Sequence, residues 1–348
     1  MNKIILLITF VFTGGLIAQK TKIPAEKGMV AYLMVYFKDD THSLYMALSN
    51  DGYSFTDINH ANPVITGDTI ALQKGIRDPY ITRGPDGLFY LAMTDLHIFA
   101  KQKGFRNAEW ERDGSKYGWG NNRSLVLMKS KDLVHWSHTI MNVDEAFPGL
   151  QDIGCAWAPE LIYDQDKKKM MIYFTMRFGN GHNRLYYAYM NSDFTKMETK
   201  PELLFSYPKA LSYIDGDITR VGNRYHLFYV PHDGVPGIKQ AISDSVHTGY
   251  VYDSTYCDPE PGACEAPTVF KRIGESKWVL VYDIYTIKPH NFGFSETADF
   301  VHFKHLGHFN EGVMKATNFS APKHPAIIHL TRKEANTLAK HWGLQMIF

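Results

Sequence analysis

One phrase recurs along this chain, and its repetition restricts the possible fold more than any other feature. Residues 75–93 read GIRDPYITRGPDGLFYLAM and residues 213–230 read YIDGDITRVGNRYHLFYV. Each has an aspartate, an apolar residue three places on, Thr-Arg, a glycine turn and an aromatic strand. WAPELIYDQDKKKMMIYFTM from Trp157 and CEAPTVFKRIGESKWVLVYD from Cys264 keep the plan of a carboxylate beside a proline, an apolar strand, a polar turn and a second apolar strand. KHPAIIHLT from Lys323 is a truncated fifth copy, with His324 near the carboxylate position. Between these copies a second phrase returns, marked by Asp51, Asp132, Asp193, Asp244 and Asp299 at intervals of 51 to 81 residues.

Each unit offers about four short strands, the content of one propeller blade. A single blade cannot bury both sheet faces, so five of them must stack around an axis. The predicted fold is all-β, a five-bladed β-propeller. MVAYLMVYF and HSLYMALSNDGYSFTDI at the start lack an inner strand and KHPAIIHLT at the end lacks outer ones, so the two ends complete one blade. That closure removes exposed sheet edges. A short C-terminal helix follows, opened by a Thr331/Glu334 capping box, with Ala335, Leu338 and Trp342 on one face. Aromatic residues at 14% suit both a strand-rich fold and a sugar site.

Residues 1–18 read as a secretory signal, with one lysine, an apolar run and small residues near Ala18. The expectation is a signal peptide over 1–18, a catalytic propeller over 19–348, and a secreted or periplasmic protein. No later apolar run reaches about 18 residues, so membrane insertion is not expected. A net charge of +1 gives nucleic acid little to hold. The reading is a monomer. Cys155, Cys257 and Cys264 are read as buried free thiols, ahead of a Cys257–Cys264 bridge. No CxxC or paired Cys-His spacing marks a zinc site. The insertion at residues 95–122 is a candidate loop over one mouth of the propeller.

The first strand of each blade lines the axis, so equivalent positions converge. Asp78, Asp215 and Glu265, with Glu160 in the remaining blade, are read as occupants of one repeated position. Such a cluster drives carboxylate pKa values apart, as acid–base hydrolysis requires. Arg77 precedes Asp78 and is placed to steer it or pair with a neighbouring carboxylate.

The set RDPYI, WAPELIYD, YIDGDIT, CEAPTVF and KHPAIIHL, in this order, resembles glycoside hydrolase family 43 over residues 29–331. The resemblance implies a five-bladed propeller and an inverting glycosidase. In it Asp78 is the general base, Asp215 the pKa modulator and Glu265 the general acid. Inversion would separate base and acid by roughly 6.5 to 9.5 Å. Trp157 and Glu160 fall in the motif that shapes the sugar pocket, and Arg77, Tyr213 and Phe178 are further candidates for substrate contact. His324 matches an axial histidine that in some members holds a metal or water. No cofactor is required, and a structural calcium on the axis is the metal the resemblance allows. The implied substrates are plant polysaccharide side chains or oligosaccharides, cleaved by an exo-acting α-L-arabinofuranosidase, with β-D-xylosidase or exo-β-galactosidase as alternatives. The chain departs from the family pattern at IDGD, at EAP, and in lacking a His-Arg-Tyr phrase after Glu265, where IKPHNFGF stands. A carbohydrate-binding propeller without catalysis is the reading from another class.

Overall fold

Strands of two to twelve residues, separated by polar turns, build five sheets, antiparallel but for one short edge strand, in the computed structural model, which describes residues 23–348. The expected signal peptide lies outside the described residues. Blades two to five are four-stranded, with inner strands Ile76–Arg83, Ile153–Asp164, Tyr213–Val221 and Glu265–Lys271. The first blade takes Met29–Phe37, Leu44–Ser49 and Ser54–Asp57 from the start of the chain and its inner strand, Lys323–Thr331, from the end. The predicted ring closure is therefore met. A feature not foreseen is a fifth, parallel strand, Lys315–Ala316, on the outer edge of that blade.

The second recurring phrase is a turn. Asp51 Oδ1 accepts the backbone N–H groups of Tyr53 and Ser54, both at 2.7 Å. Asp132 does the same for Val134 and His135, and Asp299 for Val301 and His302. These side chains supply the acceptors that a tight bend takes away from the backbone where the third strand of these three blades turns into the fourth; in the other two blades Asn191 and Ser243 accept the turn N–H groups, not Asp193 and Asp244.

The first recurring phrase encodes a bulge. On every inner strand two residues oppose one on the neighbouring strand: Asp78-Pro79, Ala158-Pro159, Asp215-Gly216, Ala266-Pro267 and His324-Pro325. The first residue of each pair has positive φ, between 44° and 56°. The second is proline in four blades, a residue without the N–H that a continuous ladder would need. Left-handed backbone costs about 1–3 kcal/mol per non-glycine residue, so five of them at one ring position mark a site rather than generic sheet.

The C-terminal helix Arg332–Trp342 carries the capping box: the Glu334 N–H donates to Thr331 Oγ1 at 3.4 Å, and the Thr331 N–H donates to Glu334 Oε2 at 2.8 Å. Arg83 donates to both Glu334 oxygens, tying the helix to the second blade. Ala335 and Leu338 are fully buried, as their shared face requires. Replacing Thr331 by alanine is expected to lower stability by about 1 kcal/mol, read as an earlier midpoint in urea denaturation. All three cysteines are free and buried.

Candidate active site

In a regular strand, adjacent side chains face opposite sides; a bulge turns two neighbours the same way. The bulge residue and the one before it therefore both reach the mouth of the axis. There Arg77, Asp78, Trp157, Ile214, Asp215, Glu265 and His324 line one pocket, roofed by Leu96 and Trp119. Its volume is about 100 Å³. The structure thus brings Asp78, Asp215, Glu265, Arg77, Trp157 and His324 together.

It also corrects how they were aligned. Asp78 and Asp215 occupy the bulge itself, where His324 stands in the first blade. Glu265 sits one residue earlier, at the register position of Arg77, Trp157 and Ile214. Glu160 sits two residues after its bulge, level with Asp217. It is 1% exposed and accepts a hydrogen bond from Tyr173 at 2.8 Å, beneath the pocket rather than in it. Tyr213 is also withdrawn. It is fully buried, and its hydroxyl donates to the Phe205 carbonyl at 2.5 Å. Phe178 lies on the surface against Tyr186.

Neighbouring blades satisfy the strained backbone. Thr94 Oγ1 accepts the Ala158 N–H at 2.8 Å and donates to Asp78 Oδ2 at 2.7 Å. Thr175 Oγ1 accepts the Asp215 N–H at 3.1 Å. Asp215 Oδ2 in turn accepts the N–H of Ala266 at 3.2 Å, so it holds the residue next to Glu265. Lys323 Nζ lies 3.4 Å from Glu265 and 3.1 Å from the fully buried Asp283.

The electrostatics separate the carboxylates. Burial opposes ionisation of Asp78, yet the hydrogen bond and charge of His324, with Arg77 and Thr94 behind them, hold it well below the usual range. Asp78 is the group that stays ionised. Asp215 is pushed up to about 7, first by burial and then by the negative charges of Glu265 and Asp78, with His324 pulling the other way. His324 loses solvation but gains Asp78, its Nδ1 lying 3.3 Å from Oδ1, and its pKa rises. Beneath, burial pushes Asp217 up to about 7 and, with Asp217 beside it, Glu160 well above the ordinary carboxylate range. Calcium takes six to eight oxygen ligands. His324 offers one nitrogen, already facing Asp78, so the axial side chains do not by themselves make a calcium cage.

Trp119, Leu96, Thr94 and Lys323 were not singled out from sequence. Trp119 comes from the insertion, which does fold over the mouth. It packs edge-on against Trp157 and Trp110, at 5.7 and 5.4 Å between ring centres. Trp157 Nε1 donates to the Gly120 carbonyl at 2.9 Å, and Arg177 stacks on Trp157 while donating to the Tyr117 and Trp119 carbonyls. His290, from IKPHNFGF, lies 3.4 Å from Asp39, whose other oxygen pairs with Arg77 at 2.9 Å.

The family of hydrolases related to glycoside hydrolase family 43, described as "Probable glycosyl hydrolase domain", matches residues 27–336. An α-L-arabinofuranosidase of Bifidobacterium longum subsp. longum is 24% identical over 257 residues, 67% of this chain and 22% of that protein. The chain thus spans under a quarter of that relative's length. An α-L-arabinofuranosidase structure from Clostridium thermocellum matches with a TM-score of 0.53 at 15% identity, over 76% of this chain and 83% of the other. An α-L-arabinanase from Cellvibrio cellulosa, complexed with arabinohexaose, matches with a TM-score of 0.51 at 16% identity, over 79% and 91%. At these identities the structural matches bear on the fold alone, whereas the family model covers nearly all of the propeller. This chain belongs to the family 43-related glycoside hydrolases.

Proposed function

We propose that the chain is an exo-acting α-L-arabinofuranosidase that hydrolyses with inversion, taking terminal residues from plant polysaccharide side chains or oligosaccharides. The observation that carries this reading is the composition of one small pocket: an ionised Asp78, a raised Asp215 and Glu265, brought in from three different blades, with Trp119 and Trp157 beside them. A volume of about 100 Å³ suits a single ring, and Trp119 of the insertion adds a wall to the same pocket. Both favour action at a chain end.

Asp78 removes a proton from the attacking water. Glu265 gives a proton to the leaving oxygen. Asp215 holds the Ala266 N–H and so fixes where Glu265 starts, while its own charge depends on the two carboxylates beside it. Trp157 and Trp119 supply apolar faces for the sugar and keep bulk water out. His324 acts as the cationic partner of the base. The proposed location, outside the cytoplasm, rests on the apolar N-terminal segment.

The test is release of nitrophenol from aryl α-L-arabinofuranoside, β-D-xyloside and β-D-galactoside. Turnover of the arabinofuranoside at least tenfold above the other two is the expected result. A higher rate on the xyloside or galactoside would reassign the sugar. Failure on all three and on arabino-oligosaccharides, with binding retained, would point to a propeller that recognises carbohydrate without cleaving it.

A further inference from the structure

Away from the axis, the outer edge of the fifth blade gathers three donors that the glycosidase reading does not use. Its last strand, Lys304–His308, contains His305 and His308. Three residues apart on a regular strand, they would face opposite sides of the sheet. The register prevents that: His305 pairs with Ser295 and His308 with Gly293, two positions apart on the neighbouring strand, because Leu306 is an extra residue. Gly307, at φ +84°, lets the bulge form. Both imidazoles consequently share a face.

Glu260 meets them there. One donor atom from each of Glu260, His305 and His308 lies within 4.8 Å of the other two. His308 Nε2 is 3.1 and 3.3 Å from the two Glu260 oxygens. Ligand atoms on a tetrahedral zinc ion, with bonds of about 2.1 Å, stand about 3.4 Å apart. Those two donors are therefore already at coordination spacing, and His305, which is exposed, can turn inward.

The surrounding groups are those that orient metal ligands. His308 Nδ1 faces Glu311 at 2.9 Å, leaving Nε2 for the ion, the carboxylate–histidine arrangement found behind metal-bound imidazoles. Tyr282 donates its hydroxyl to Glu260 Oε1 at 2.9 Å. Its ring crosses directly over Gly293, where an added Cβ would lie 2.1 Å from it. The Glu260 backbone is fixed in advance by its N–H bond to Asp258, which also accepts the Ile238 N–H from the fourth blade. We propose that Glu260, His305 and His308 bind a divalent transition-metal ion of the zinc class, the fourth position being left to water. Two nitrogen donors select against calcium and magnesium. The ion would staple the outer edge of the blade to the segment that runs from Glu260 into Glu265, on the same end of the propeller as the pocket.

The experiment is calorimetric titration of the tag-free folded chain with zinc chloride, with calcium chloride as control, alongside thermal unfolding. One zinc per chain is expected, with a raised unfolding midpoint. Substituting the exposed His305→Ala should weaken binding at least tenfold without lowering the metal-free midpoint. The substitution Glu311→Gln should weaken it about 10- to 100-fold through His308. No zinc uptake would overturn the proposal and leave His308 as a bridge between two carboxylates. Equal affinity in His305→Ala, or calcium bound in preference to zinc, would overturn it as well.

Discussion

Asp78→Asn is expected to lower kcat by about 10³-fold or more on every glycoside tested, activated or not. General-base assistance contributes roughly 10²–10⁴-fold, and here no second ionised carboxylate stands in the same place. Asp215, which shares the pocket, is pushed up to about 7 by burial and by its acidic neighbours, and it is occupied by the Ala266 N–H. The substitution is mild for the fold. Asparagine tolerates the left-handed φ of 51° at this position, and its amide oxygen can still accept from Thr94. The variant should therefore unfold at nearly the wild-type temperature while losing turnover, and circular dichroism with aryl-glycoside kinetics separates the two. Added azide, supplying the missing nucleophile, should restore part of the rate and give an inverted product. A variant within tenfold of wild type would remove Asp78 from the role of base.

The propeller was legible because its signals are local and repeated. Strands, turns and the two incomplete ends each write themselves in a handful of residues, and the Thr331 capping box is spelled out in four. What sequence could not supply was the direction in which side chains point. Asp78, Glu160, Asp215 and Glu265 look alike beside their prolines or glycine, yet one bulge sends Glu265 into the pocket and leaves Glu160 buried below it. The prolines carried the missing information: recurring at the second bulge position, they mark a broken ladder rather than a catalytic neighbour. Tyr213 was misplaced for a similar reason, since only tertiary packing determines that its hydroxyl reaches the Phe205 carbonyl. Trp119 belongs to the insertion, where no period exists to give it a position. The histidines of the fifth blade carry no zinc spacing in the sequence, because only the bulge between them turns both to one face of the sheet.

Glu265→Ala should divide substrates by their leaving groups. A natural arabinoside departs as a sugar alkoxide and needs a proton as the bond breaks, so its hydrolysis should fall by about 10²–10⁴-fold. Nitrophenolate leaves without that help, and an aryl arabinofuranoside should lose less than tenfold in kcat. The structure makes the contrast interpretable, because removing this side chain strands no charge. Lys323 keeps Asp283 at 3.1 Å, Asp215 keeps the Ala266 N–H, and the bulge at Ala266 is untouched. The base, on another blade and held by Thr94 and His324, is unaffected. Rates on a series of aryl arabinofuranosides should then depend steeply on leaving-group basicity in the variant and weakly in the wild type. Equal losses on activated and natural substrates would mean that Glu265 positions the sugar and that the proton comes from elsewhere in the pocket, Asp215 being the buried carboxyl nearest to neutrality beside it.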